Sequence, residues 1–215
     1  MLNVSGIVSD SIVDGPGIRM TVFFKGCPLR CKWCHNPEGL SFKPQLMYKE
    51  VRCIACKNCQ RECTHPECQP FGRCIHACPE NCLEIAGKVV EVKELVTELK
   101  TSAEVLGESF GGFTFSGGEP LMRPDLEECG KAIYDMGFPW GMVTNGLAMT
   151  QKRFRALLAA GLHTATVSLD GLKEGHNSMR GNDNSFDCAV EAIRLMGKHP
   201  NFIFDVVTCV NRRNL

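Results

Sequence analysis

Eleven of the fourteen cysteines in this 215-residue chain lie between Cys27 and Cys82, and that crowding limits what the first third can fold into. Dense cysteines mean disulfides in an exported protein and metal ligation in a reducing compartment. The start, Met1-Leu-Asn-Val-Ser-Gly, has no basic region followed by an apolar run, so it does not read as a signal peptide. A cytoplasmic, metal-binding chain is expected, working where oxygen is scarce because exposed iron–sulfur clusters oxidise. From Cys53 to Cys82 the only apolar residues besides cysteine are Ile54, Ala55, Phe71, Ile75 and Ala77. A segment so poor in core cannot close by burial and needs metal to fold.

The cysteines form two kinds of pattern. Cys27-x-x-x-Cys31-x-x-Cys34 offers three thiolates where a cluster closed by protein takes four ligands. One metal position is left open for a substrate or cofactor; a three-cysteine zinc site is the plainer alternative. Cys53-x-x-Cys56-x-x-Cys59-x-x-x-Cys63 matches the bacterial ferredoxin run, with Thr64 in place of the usual Pro. Cys68, Cys74, Cys78 (before Pro79) and Cys82 follow less regularly. Eight thiolates suit two further four-iron clusters. Ferredoxin logic groups Cys53, Cys56 and Cys59 with Cys78, and Cys63 with Cys68 and Cys74. Phe71 stands where a regular second motif carries its middle cysteine. Cys82 is the spare ligand, and without it the second cluster holds three irons. A pair of zinc sites is the alternative here.

The remainder alternates strand and helix. Residues 19–26 read as a buried strand leading into the first cysteine motif. Strands are also expected at 112–116, 141–144, 164–169 and 202–210. Between them, Val92, Leu95, Val96 and Leu99 mark a helical face, as do Leu126, Cys129, Ile133 and Met136, and Phe154, Leu157 and Leu158. A last helix is expected over 185–196, with Phe186, Val190 and Ile193 inward and Gly197 as its stop. Repeated strand–helix units predict an α/β fold with a parallel sheet and helices outside. At this length roughly 70% of the unfolded surface is buried, enough for one substantial domain and a small module. Lys plus Arg and Asp plus Glu are both 24, so no net charge draws the chain to nucleic acid or membrane. No apolar run approaches the roughly 18 residues of a membrane span.

Functional residues on such sheets gather at the C-terminal strand ends. Cys27 follows the first strand, Ser116-Gly117-Gly118-Glu119-Pro120 the second, Thr144-Asn145-Gly146 the third and Ser168-Leu169-Asp170-Gly171 the fourth. The two glycines admit a ligand close to the backbone, and Glu119 is an acceptor for an ammonium group. Ser168 and Asp170 alternate along the strand, so both are expected to face the barrel interior while Leu169 faces the helices. Each motif alone is an ordinary strand-to-helix turn; four in phase with the strand order point to one site. Cys129, Cys188 and Cys209 read as packing residues.

The three-cysteine spacing, with Trp33 before Cys34, resembles the signature of the radical S-adenosylmethionine (SAM) superfamily. Asp14-Gly-Pro-Gly-Ile-Arg19, Phe23-Phe-Lys-Gly-Cys27, Trp33-Cys-His-Asn-Pro-Glu38 and Phe115-Ser-Gly-Gly-Glu-Pro120 narrow it to the glycyl-radical-enzyme activating enzymes. The resemblance is dense over 5–40 and 111–120 and looser afterward. It implies that Cys27, Cys31 and Cys34 hold a four-iron cluster whose open iron is chelated by SAM. It places Trp33 near the adenine, the Gly117–Glu119 turn at the methionine amino group, and Thr144, Ser168 and Asp170 on the rest of SAM. Asp14 to Arg19 would lie at the mouth. The implied chemistry is reductive cleavage of SAM and hydrogen abstraction from a glycine of a partner glycyl radical enzyme, with flavodoxin or ferredoxin as electron donor.

Two features depart from that pattern. Many activating enzymes have Asp-Leu-Lys at the fourth strand, where this chain has Ser168-Leu-Asp-Gly-Leu-Lys173 and then His176 and Met179-Arg180-Gly181. Lys173 takes the place of the family lysine and Arg180 offers a two-bond grip on the SAM carboxylate, or both are solvated surface charges. Val143 precedes Thr144 where relatives often carry an acidic residue. The family barrel has six strand–helix units, so this sequence reads as a partial (β/α) barrel cut after its fifth strand, with an open edge. Expected boundaries are 1–48 for the first part of the barrel, 49–88 for the ferredoxin-like insert and 89–215 for the rest. Two other functions fit the same residues: a radical SAM enzyme acting on a peptide or small molecule, and a non-enzymatic iron–sulfur electron carrier.

Overall fold

The computed structural model describes residues 2–11, 17–101, 103–212 and 214. Its strands are β1 (Leu2–Ser11), β2 (Arg19–Phe24), β3 (Gln45–Tyr48), β4 (Leu83–Ala86), β5 (Lys88–Val90), β6 (Gly112–Gly117), β7 (Trp140–Thr144), β8 (Leu162–Ser168) and β9 (Ile203–Val207). Its helices are α1 (Val92–Lys100), α2 (Ala103–Glu108), α3 (Leu126–Asp135), α4 (Gln151–Ala159), α5 (Lys173–Arg180) and α6 (Ser185–Gly197). Seven strands form one sheet in the order β5-β1-β2-β6-β7-β8-β9. The five expected strands, β2, β6, β7, β8 and β9, run parallel to one another.

Burial on both faces makes β2 and β6 nearly continuous apolar runs. Phe24, Phe113, Phe115 and Trp140 are fully buried along β2, β6 and β7, and Leu126, Ile133 and Leu157 cover them from α3 and α4. Each such side chain stabilises the fold by about 1.5–3 kcal/mol. The Trp140 indole N–H donates to the Ala160 carbonyl at 2.9 Å. Its ring lies where a Cβ on Gly130 would stand, 2.3 Å away. Cys129 is packed into the same core, as its place on the helix face predicts, and burial pushes its thiol up to about 12.

Three parts differ from the sequence expectation. β1 and β5 extend the sheet antiparallel at the β2 side. The register of β1 shifts between Val4 and Gly6, which breaks the alternation by which a strand is recognised. In α6 the buried positions are Ser185, Ala189, Ala192 and Met196, while Phe186 and Ile193 are only half-buried. Small side chains let that helix approach β8 closely, so its face is set by alanines rather than by the larger residues. α5 carries too few apolar residues to show a helical period, and two of its buried residues are His176 and Arg180.

Residues 49–82 are carried between β3 and β4, which pair antiparallel as a separate two-stranded sheet. The Lys49 amide donates to the Cys82 carbonyl at 2.8 Å and closes the base of this segment. Its secondary structure is short 3-10 turns, and Ala55, Lys57 and Asn81 adopt positive φ. Among the described residues no helix is long and apolar enough to cross a membrane.

Candidate active site

The register of β2 on β6, with Phe24 opposite Gly117, sets the first cysteine loop beside the Ser116–Glu119 strand end. Gly26 N–H donates to the Gly39 carbonyl at 2.7 Å and Cys27 N–H to Leu40 at 3.2 Å. Farther along, Arg30 N–H reaches the Arg180 carbonyl at 3.4 Å and Lys32 N–H reaches Met179 at 2.9 Å. The loop thereby satisfies carbonyls at the C-terminal end of α5, which have no partner within the helix.

One cavity of about 150 Å³ opens at the C-terminal ends of the strands. Of the residues expected in the site, Cys27, Cys31, Trp33, Cys34, Ser116, Gly117, Gly118, Glu119, Thr144, Ser168 and Arg180 line it. Asn145 also lines it, beyond the residues expected there; its amide nitrogen is 3.9 Å from the Cys27 sulfur. The signal for it was its place between Thr144 and Gly146 at a strand end. Arg19, expected at the mouth, begins β2 and so lies a strand length away, roughly 20 Å at about 3.3 Å per residue. Asp14, Gly15 and Pro16 lie outside the described residues.

The glycines at 117 and 118 have a physical reason within the protein. A Cβ on Gly117, whose φ is +94°, would stand 2.6 Å from the Phe24 carbonyl oxygen; one on Gly118 would meet Gly26 O at 2.6 Å and Gly39 O at 2.9 Å. Gly118 N–H donates to Phe24 O and Glu119 N–H to Gly26 O, both at 2.8 Å. The close approach is between two strand ends, and it seats the cysteine loop.

Glu119 is buried and already accepts three hydrogen bonds. Oε1 takes the Thr144 hydroxyl at 2.7 Å and Leu121 N–H at 3.1 Å, and Oε2 takes Asn145 N–H at 2.7 Å. Burial pushes its carboxyl up, opposed by those donors and by the Arg180 charge. Thr144 accepts in turn from Gly146 N–H at 3.0 Å. The pair fastens the end of β6 to the end of β7.

Arg180 and Asp170 are paired away from solvent, with Nε 2.7 Å from Oδ2. Asp170 does not line the cavity; its other oxygen accepts Cys209 N–H at 3.1 Å. His176 Nδ1 accepts the Asp170 N–H at 3.0 Å and its Nε2 lies 2.9 Å from the Ser185 hydroxyl, an arrangement that fits the Nε2–H tautomer. Burial, aided by the nearby Arg180 charge, lowers the His176 pKa and keeps the ring neutral. The guanidinium stacks over the Trp33 ring, 4.9 Å from its centre. Arg180 Nη2 and Trp33 Nε1 are both buried without a hydrogen-bond partner. Lys173 is elsewhere: it is exposed and paired with Asp187 at 2.6 Å, so the surface reading holds for it but not for Arg180.

Burial pushes the Cys27 thiol up to about 11, with the Glu119 charge adding to the rise and Leu29 N–H opposing it. Burial also raises Cys31, against the pull of Arg180. A metal ion bound there takes the place of the thiol protons and supplies the positive charge that a buried thiolate needs. In the insert, Cys53, Cys56, Cys59, Cys78 and Cys82 surround one cavity. Cys63, Cys68 and Cys74 are drawn together with His65. Cys82, expected as the spare ligand of the second set, lies with the first.

The radical SAM superfamily model matches residues 21–214, and the chain belongs to that superfamily. The chain is 33% identical over 219 residues to the trans-4-hydroxy-L-proline dehydratase activating enzyme of Clostridioides difficile, covering 94% of this chain and 72% of that protein. It is 40% identical over 146 residues to the indoleacetate decarboxylase activating enzyme of Tractidigestivibacter scatoligenes, covering 57% of this chain and 46% of the relative. The chain spans about half the length of the first relatives it matches, 46% and 52% for two of them. The expected kinship with the glycyl-radical-enzyme activating enzymes stands on these relatives. Among solved structures, native anSMEcpe with bound AdoMet is 19% identical and aligns at a TM-score of 0.50 over 86% of this chain and 41% of its own. That likeness shows the fold alone. Membership in the superfamily implies a four-iron cluster and SAM. The cavity fits both, with three thiols on one side and a buried guanidinium edge and an indole N–H left without partners.

Proposed function

We propose that this chain binds SAM at an open iron held by Cys27, Cys31 and Cys34 and activates a partner glycyl radical enzyme. When bound, the cluster and SAM supply reductive cleavage to methionine and a 5′-deoxyadenosyl radical, which takes hydrogen from a backbone glycine of the partner. Arg180 is the residue that carries this reading, because its Nη2 is buried, charged and free in the cavity of the three cysteines. A guanidinium edge so placed matches a carboxylate, here that of the methionine part of SAM. Trp33 holds the guanidinium by its ring and offers an N–H to the nucleoside end. Ser116, Gly117 and Gly118 line the amino end, with Glu119 supplying negative charge and Thr144 keeping it in place. Ser168 lines the wall, and Asp170 acts through Arg180. These walls exclude water from a site where a radical must not be quenched.

The insert is read as an electron relay, with Cys53, Cys56, Cys59 and Cys78 holding a further four-iron cluster and Cys82 beside them. Flavodoxin or ferredoxin is the proposed donor to it. The test is 5′-deoxyadenosine formation by the anaerobically reconstituted chain with SAM and dithionite. Product is expected from the native chain and none from Cys27→Ser or Cys34→Ser. No product at a full iron and sulfide count would overturn the reading. With product formed, a glycyl-radical doublet appearing in a candidate partner enzyme would identify the target.

A further inference from the structure

We infer that Cys63, His65, Cys68 and Cys74 form a Cys₃His site for a single tetrahedral ion of the zinc class, with His65 as the fourth ligand. One donor atom from each of these four residues lies within 4.8 Å of all the others. His65 Nδ1 is 3.0 Å from the Cys63 sulfur and 3.8 Å from the Cys74 sulfur. An ion with metal–sulfur bonds of about 2.3 Å and metal–nitrogen bonds of about 2.0–2.1 Å gives tetrahedron edges of roughly 3.5–3.8 Å. Of the two distances from His65 Nδ1, one falls short of that range and the other reaches its upper end, and all four donors lie within 4.8 Å of one another, in reach of a single ion. A four-iron cube sits between its ligands and spreads them farther apart. Cys27, Cys31 and Cys34 provide a comparison within the same chain: they line one cavity, yet they are not drawn within 4.8 Å of one another.

The surroundings support ligation by His65. Its ring is 4.5 Å, centre to centre, from that of His76, and His76 Nε2 is 2.7 Å from a Glu67 carboxylate oxygen. That bonded pair holds the His65 ring in the orientation that presents Nδ1 to the sulfurs. Cys68 and Cys74 are buried. The Gln69 side chain donates to the Cys63 carbonyl and closes the loop. The spacing Cys-x-His-x-x-Cys-x5-Cys carries three soft ligands and one imidazole, which suits zinc among the divalent ions. The site closes a segment that has almost no apolar core of its own.

The test uses the full chain, produced anaerobically with iron in excess and then reconstituted with iron and sulfide. One zinc per chain is expected to survive reconstitution. In His65→Ala the zinc retained after a chelator challenge should fall at least tenfold while the iron content holds. His65→Cys should restore it, and His76→Ala should weaken retention about tenfold. Loading the native chain with cobalt should give the visible bands of a tetrahedral thiolate site, shifted in His65→Cys. A chain that keeps no zinc, or that loses iron rather than zinc in His65→Ala, would overturn the inference, as would full zinc retention in His65→Ala. The readout is metal content and spectra, so it stands or falls apart from SAM cleavage.

Discussion

The Arg180 guanidinium is held through Nε by the Asp170 carboxylate at 2.7 Å, with both groups out of solvent, and this leaves Nη2 buried and without a partner. Removing one member of a buried ion pair costs about 3–5 kcal/mol because the other charge is stranded. Asp170→Asn keeps the shape and removes the charge. It should lower the stability of the metal-free chain by about 3 kcal/mol in chemical denaturation and weaken SAM binding by titration calorimetry. Arg180→Lys keeps the charge and loses the planar fork, and SAM affinity should fall about tenfold or more. Unchanged affinity in Arg180→Lys would remove the carboxylate role.

Trp33 separates packing from hydrogen bonding in the same cavity. Its ring lies under Arg180 at 4.9 Å while its indole N–H has no partner. Trp33→Phe keeps an aromatic face and deletes an unsatisfied donor, so the metal-free chain should lose no more than about 1 kcal/mol. SAM binding should weaken by about 1 kcal/mol, roughly fivefold, if the N–H meets the ligand. Trp33→Ala should weaken it further, since the cation–π contact of about 0.5–2 kcal/mol goes as well. Equal SAM affinity in the native chain and Trp33→Phe would assign Trp33 to packing alone.

Glu119 gives a pH signature. Burial raises its carboxyl above the ordinary 4.5, so the folded chain holds that proton at a pH where the unfolded chain has released it. Stability contributed by this group is therefore full below about 4.5 and is lost as pH rises toward the raised folded value. Glu119→Gln should flatten that part of the stability–pH curve of the metal-free chain. It should also cost about 1–3 kcal/mol, because a side-chain NH₂ would face the Asn145 N–H that now donates to Oε2. A curve of identical slope in the variant would show that Glu119 does not titrate in this window.

The parallel strands and the three-cysteine loop were legible because each is written locally: an apolar run, then glycines or cysteines at its end. β1 was not, since its register shift interrupts the alternation. The α6 face differs from its apolar pattern because close packing on β8 favours Ala189 and Ala192 over larger neighbours. Lys173 and Arg180 lie on one helix and look alike in sequence. Only the fold shows that one meets Asp187 in solvent while the other is drawn inward by Asp170. His65 carries no signal in the sequence, because an imidazole two residues after Cys63 has no counterpart in the ferredoxin cysteine run.

Gly118 tests whether the strand-end contact positions the cysteine loop. A Cβ there would stand 2.6 Å from the Gly26 carbonyl oxygen and 2.9 Å from that of Gly39, and both are backbone atoms that cannot swing aside. Gly118→Ala must push β2 and its loop away from β6, at about 1–3 kcal/mol for overpacking of this kind. Gly26 directly precedes Cys27, so the displacement is passed to the first cysteine of the motif. Iron uptake at Cys27, Cys31 and Cys34 should therefore fall in Gly118→Ala. The metal bound by the insert, which is carried on β3 and β4, should stay unchanged. Metal analysis with electron paramagnetic resonance of the reduced chain checks both halves at once. Loss of iron from the insert as well would mean that the variant unfolds the chain rather than moving one loop.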